Sequence, residues 1–260
     1  MKVVIFAGGL GTRLMEETEA RPKPMVEIGG KPMLWHIMKI YSHFGFNDFV
    51  VCLGYKSYMI KEYFFNYFLH NSDITIELKN NNVKVHKTDS EAFNITLVDT
   101  GLNTKTAGRL KRIEKYIQDD DFMLTYGDGV SDIDINQLVD FHREHNKIAT
   151  VTAIQPEARF GGMELDENGE VKIFKEKPKG DGRWINGGFF VLKSKVFAYL
   201  NHPNIDEIMW EDMPLEKLSQ DRELVAYKYT GFWKCMDALR DKIELENLWN
   251  TNQAKWKVWH

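Results

Sequence analysis

"VVIFAGGLGTRL", residues 3–14, passes from an apolar run into a turn that carries Gly8, Gly9 and Gly11, followed by Thr12 and Arg13. After Lys2, residues 3–7 are β-branched, aromatic or small, the pattern of a strand buried on both faces of a parallel sheet. A strand that runs into a turn poor in side chains lets backbone N–H groups approach and hold an anion. Two common phosphate loops do not fit. The dinucleotide fingerprint requires G-x-G-x-x-G, and no further glycine follows Gly11 in register. The P-loop requires Gly-Lys-[Ser/Thr], and the Gly30-Lys31 pair runs into Pro32. The glycines alone fit a tight strand-to-helix turn equally well.

The nearby cations favour phosphate. Arg13 offers a planar fork suited to bidentate phosphate contacts, and Lys23 a point charge on a long stem. Pro22 and Pro24 restrict the backbone on both sides of Lys23. A solvated surface lysine has no use for such a frame.

Further along, strand and helix patterns alternate. Helices are predicted from Pro32 to Phe44, over 57–69 and from Thr106 to about Ile117, with strands at 48–54, near 73–78 and 94–98, and at 121–129. Such alternation predicts a doubly wound, mixed but mainly parallel α/β sheet, Rossmann-like in class. From about residue 147 the stretches "ATVTAI", "GGMELDENGEVKIFKEK" and "WINGGFFVL" read as antiparallel strands, with a turn at Asn168-Gly169, and imply a small antiparallel extension. Helices near 209–219 and 236–250 follow. The 260 residues contain no Pro/Gly/Ser-rich linker and are expected to form a single domain.

The net charge of −4 argues against broad nucleic-acid binding and makes any anion site local. No apolar stretch approaches the roughly 20 residues of a membrane span, and residues 1–10 lack the pattern of a signal peptide. The two cysteines, Cys52 and Cys235, are far apart and read as reduced thiols in a cytoplasm.

"AGGLGTRL" followed by "RPKPMVEIGGKPMLWHIM" resembles the signature of the sugar-1-phosphate nucleotidylyltransferases. The similarity continues through "DTGLNTKTAGRLKR", "YGDG", "EKPKGDG", "INGGFFVL" and "GFWKCMDALRDK". It is strongest to the branch that joins CTP and glucose 1-phosphate into CDP-glucose. In that reaction a sugar-phosphate oxygen attacks the α-phosphorus and pyrophosphate leaves, so catalysis rests on positioning and charge neutralisation. The resemblance implies nucleotide contacts from Phe6, Ala7, Gly8, Gly9, Leu10, Gly11, Thr12, Arg13, Lys23, Thr104, Arg109 and Gly127. It implies sugar-phosphate contacts from Glu176, Lys177, Asn186 and Gly187. Mg²⁺ falls to Asp128 and Asp237, and catalysis to Arg13, Lys23 and Asp128. The residues up to about 130 become mainly the nucleotide half, and 131–260 mainly the sugar-phosphate half. A cytoplasmic homo-oligomer, a hexamer, is implied, with a product used for lipopolysaccharide O antigen. Relatives usually carry a second glycine where this chain has Ala107.

Blander readings stand beside several of these. Asp128 could be a turn aspartate between glycines, Asp237 a helix cap, Lys177-Pro178 a solvated turn, and Arg109 a surface charge. His142 and His145 have metal-ligand spacing but no completing residues, which predicts a solvated helix face. Trp249, Trp256 and Trp259 in the tail predict docking onto the body or onto another subunit. A glycosyltransferase with metal on Asp132-x-Asp134, and a catalytically inactive module on the same fold, are the competing functional readings.

Overall fold

The computed structural model describes residues 1–117, 121–156, 162–167, 170–175 and 183–259. The predicted turn at Asn168-Gly169 lies outside them, as do Glu176 and Lys177. The first strand, β1 (Lys2–Ala7), buries side chains on both faces. Val3, Ile5 and Ala7 enter one apolar core, and Val4 and Phe6 the other. Each large side chain fully buried in this way stabilises the fold by about 1.5–3 kcal/mol relative to exposure. A two-sided strand of this kind belongs at the centre of a sheet covered by helices on both sides.

A short helix α1 (Met15–Thr18) follows the glycine loop, then the two-residue strands β2 (Glu27–Ile28) and β3 (Lys31–Pro32) and helix α2 (Met33–His43). Next come β4 (Asp48–Leu53), α3 (Ser57–His70), β5 (Ser72–Glu77), β6 (Asn82–Thr88), β7 (Asn94–Asp99) and α4 (Thr106–Arg112). The middle of the chain holds β8 (Phe122–Tyr126), β9 (Gly129–Ser131), α5 (Ile135–His145) and β10 (Ala149–Ile154). The last part holds β11 (Gly162–Leu165), β12 (Val171–Lys175), β13 (Ile185–Leu192), α6 (Met213–Gln220), β14 (Leu224–Tyr229), β15 (Trp233–Cys235) and α7 (Leu239–Asn250).

The main sheet has seven strands in the order β14-β10-β13-β8-β1-β4-β7. β1 pairs in parallel with β4 on one side and β8 on the other, and β4 with β7. β13 runs antiparallel to both its neighbours. The doubly wound, mainly parallel expectation therefore holds. So does the antiparallel extension, as the β11–β12 hairpin. β10 pairs antiparallel with β13, as expected, and lies parallel on its other side to β14, a strand that the sequence reading did not name.

The chain leaves β1 toward β4 on one side and returns to β8 on the other. This reversal opens a crevice beyond the carboxyl ends of β1 and β8, where ligands bind in such sheets. The tail docks on the body of the same chain. Trp249, Trp256 and Trp259 surround the His36 ring, and Trp256 is only 1% exposed.

The histidine pair on α5 is not on a solvated face. His142 is buried, and His142 Nδ1 and His145 Nε2 share the Thr150 hydroxyl at 2.8 and 2.7 Å. The stripe of α5 that carries them packs on β10, which a period-based reading cannot distinguish from the outward stripe.

Candidate active site

Phe6 and Ala7 end β1 inside the cores, and Gly8 starts the loop beneath Arg109. A Cβ on Gly8 would stand 2.2 Å from Arg109 Nη1, so only glycine fits without moving the guanidinium. Gly9, Leu10 and Thr12 are exposed at the mouth. Gly11, at φ +66°, turns the chain into the 3-10 turn Thr12–Leu14 and accepts a hydrogen bond from Thr18 Oγ1 at 3.1 Å. That left-handed backbone suits glycine.

Arg109 is 4% exposed and donates to Gly8 O, Leu53 O, Gly101 O and Thr100 Oγ1 at 2.8–2.9 Å. One guanidinium thus joins the carboxyl end of β4 to the loops after β1 and β7. Thr104 is buried just ahead of α4, beside Gly101. Gly127 donates to Phe6 O at 2.9 Å and ties the end of β8 to β1. A Cβ there would stand 2.6 Å from that same oxygen.

Pro22 and Pro24 frame a 3-10 turn, Lys23–Met25, and aim Lys23 inward. Its Nζ lies 2.6 Å from Asp128 Oδ2 and 2.8 Å from Asp237 Oδ1. Arg13, 80% exposed, reaches the other Asp237 oxygen at 3.4 Å. The four side chains come from distant parts of the sequence. Asp128 follows β8, and its carbonyl accepts from Met236 N at 2.8 Å. β9 and β15 pair antiparallel, with Gly129 opposite Cys235. This two-strand clip sets Asp237 beside Asp128.

Burial disfavours the Lys23 ammonium, but the Asp128 charge and hydrogen bonds to both carboxylates outweigh it and hold its pKa above the ordinary lysine value. Burial likewise disfavours ionised Asp237. The Lys23 hydrogen bond and the Lys23 and Arg13 charges reverse that and keep it below the usual carboxylate range. Asp237 is therefore ionised at neutral pH. Asp128 and Asp237, with a third donor nearby, are a fitting set for a divalent cation.

A cleft of about 430 Å³ extends from these acids toward Asn186 and Gly187 on β13. The Tyr126 hydroxyl donates to Glu211 and accepts from Asn186 Nδ2 at 3.1 Å, while Glu211 Oε2 accepts from Thr106 Oγ1 at 3.0 Å. Burial, with Glu211 alongside, raises the pKa of Tyr126 and keeps the phenol protonated. Trp233 Nε1 donates to Gly187 O at 2.7 Å. Tyr126, Glu211, Trp233 and Cys235 line the cleft without having been singled out from sequence. The only local signal for Cys235 was its place two residues before Asp237. Glu211 had none.

Asp132 and Asp134 have other work. Asp132 accepts from Tyr229 and from Phe232 N at 2.7 Å, and Asp134 caps α5 through Gln137 N at 3.1 Å. The alternative Asp132-x-Asp134 metal motif thus has its carboxylates engaged within the fold.

A glycine loop beyond β1, two cations beside it and paired acids beyond β8 and β15 define an enzyme that handles nucleotide phosphates. Residues 2–246 match the family model described as nucleotidyl transferase, and the chain belongs to that family. It is 55% identical over 260 residues to the glucose-1-phosphate cytidylyltransferase of Salmonella typhi, covering all of both chains. It is 45% identical over 259 residues to a probable glucose-1-phosphate cytidylyltransferase of Bacillus subtilis, again over the full length of both. Among solved structures, a putative glucose-1-phosphate thymidylyltransferase from Bacillus anthracis shares the fold, with a TM-score of 0.70 at 20% identity over 100% of this chain and 97% of that one.

Proposed function

We propose that the chain transfers CMP from CTP to α-D-glucose 1-phosphate, giving CDP-glucose and pyrophosphate. The identity of 55% over the whole of both chains carries the choice of substrates. The geometry supports the chemistry. Loop residues 8–12 offer backbone N–H groups to the triphosphate, and Arg13 and Lys23 offer positive charge where negative charge gathers in the transition state. Asp128 and Asp237 are the residues that would hold Mg²⁺, which when bound neutralises phosphate charge and orients the α-phosphorus. Arg109 and Thr104 serve the nucleotide side, Arg109 by holding the carbonyls of the loops around it. Asn186 and Gly187 present the sugar side, to which Glu176 and Lys177 are also assigned. The N-terminal half thus receives mainly the nucleotide, and the C-terminal half mainly the sugar phosphate.

The described residues contain no helix long and apolar enough to cross a membrane, in keeping with a cytoplasmic enzyme. Its product would serve lipopolysaccharide O antigen. A homo-oligomer, a hexamer in this reading, accounts for the β5–β6 ribbon. That ribbon exposes Ile76, Val83 and Val85, and Leu78 at its tip is 88% exposed. A two-stranded ribbon is marginal on its own, and a second copy would cover it.

The test is pyrophosphate release with glucose 1-phosphate and each of CTP, UTP, dTTP, GTP and ATP. CTP should lead by a wide margin over the purines, which clash with a pyrimidine pocket and leave its polar groups unpaired. Equal kcat/KM for CTP and a purine triphosphate would end the pyrimidine assignment. Release with none of the five would end the enzyme assignment.

A further inference from the structure

Cys235 ends β15 at the wall of the cleft, two residues before Asp237. One donor atom each from Asp128, Cys235 and Asp237 lie within 4.8 Å of one another. The β9–β15 pairing fixes this group, since it places Cys235 opposite Gly129, directly after Asp128. A second observation marks the centre as a cation position. The Lys23 ammonium already sits between the two carboxylates at 2.6 and 2.8 Å.

Mg²⁺ has no use for sulfur, because hard cations choose oxygen. Zn²⁺ and its heavier relatives take thiolate and carboxylate together. We propose that Asp128, Cys235 and Asp237 form a site for a thiophilic divalent cation, of the Zn²⁺ or Cd²⁺ class, which displaces Lys23 from the acids and blocks turnover. The proposal rests on reading Asp128 and Asp237 as metal ligands. Binding replaces the S–H bond with a metal–sulfur bond and releases one proton to solvent, with no change of oxidation state. Tetrahedral Zn²⁺ bonds of about 2.0–2.3 Å need donors roughly 3.3–3.8 Å apart. The group therefore closes by up to about 1.5 Å once the ammonium withdraws.

The test is a Cd²⁺ titration of the chelator-treated protein, followed by the ultraviolet thiolate-to-metal charge-transfer band. The wild type should show a saturable band at one ion per chain. Cys235→Ser and Cys235→Ala should lose it and bind Cd²⁺ at least about tenfold more weakly. Cys52 is the internal control, because it is fully buried among the apolar side chains of the sheet core, whereas Cys235 lines the cleft. Calorimetry of CTP with Mg²⁺ on the same proteins separates the two readings. No band, with Mg²⁺-dependent CTP binding intact, overturns the thiophilic site and leaves the Mg²⁺ assignment standing. A band that survives both substitutions also overturns it. Cd²⁺ and Mg²⁺ both failing to bind overturns both readings. Circular dichroism confirms that each variant is folded.

Discussion

Lys23, framed by two prolines, has a side chain only 13% exposed. An exposed lysine would contribute about 0–1 kcal/mol through a surface ion pair. Here removal leaves two carboxylates facing each other. Lys23→Ala should lower kcat/KM about a hundred- to thousandfold, the usual cost of losing one electrostatic contact to the transition state. It should also lower the metal-free melting temperature, a loss that Mg²⁺ reverses by taking over the neutralisation. Unchanged turnover would reduce the Pro22-Lys23-Pro24 turn to a structural brace. Asp128→Asn should keep the fold, by circular dichroism, and abolish Mg²⁺-dependent turnover. At this scale sequence went far where a residue type and its neighbours were distinctive: glycines in a turn, or a lysine between prolines. It missed Tyr126 and Glu211, whose pairing joins β8 to the loop before α6, because only the fold brings them together.

Among the elements, β1 with its loop was the most legible, since burial on both faces leaves an unbroken apolar run. β6, β14 and β15 were not. β6 is exposed along its length, so no buried face imprints an alternation on it. β15 has three residues, too few for any period. The direction of β10 depends on its partner β14, which no local pattern encodes. Helix α4 ends at Arg112 and gives way to a 3-10 turn, Glu114–Tyr116, short of the expected end near Ile117. The loop after β1 yields a sharp prediction. Gly8→Ala drives a methyl into Arg109 and must pull its guanidinium off the carbonyls it holds. CTP binding should weaken by at least about tenfold, as shown by calorimetry, and the melting temperature should fall, because buried donors and acceptors lose their partners. Normal CTP affinity in this variant would show that Arg109 does not shape the nucleotide side.

For the molecule as a whole, acid is a specific weakness. Burial pushes both His36 and His142 down to about 4 from an ordinary value near 6.5. The unfolded chain therefore binds these protons first as pH falls. Stability is full above about pH 6.5 and drains away toward pH 4, by up to about 3 kcal/mol for each histidine. Melting temperatures should fall steeply across that window, and less steeply in His142→Gln. A flat profile would mean that the buried rings are solvated on this timescale. The exposed ribbon makes a separate prediction for assembly. Leu78→Asp with Val85→Asp should lower the mass measured by light scattering if a second copy covers β5–β6, and an unchanged mass would place the interface elsewhere. Finally, Arg13, Lys23, Asp128 and Asp237 neutralise one another across the mouth of the crevice. Phosphate arriving alone must take the two cations from the acids, and a hard cation arriving alone must take the acids from the cations. When both arrive together, each frees the groups that the other needs. On the proposed assignments, a hard cation and phosphate each bind better in the other's presence than alone, and by reciprocity each tightens the other by the same factor.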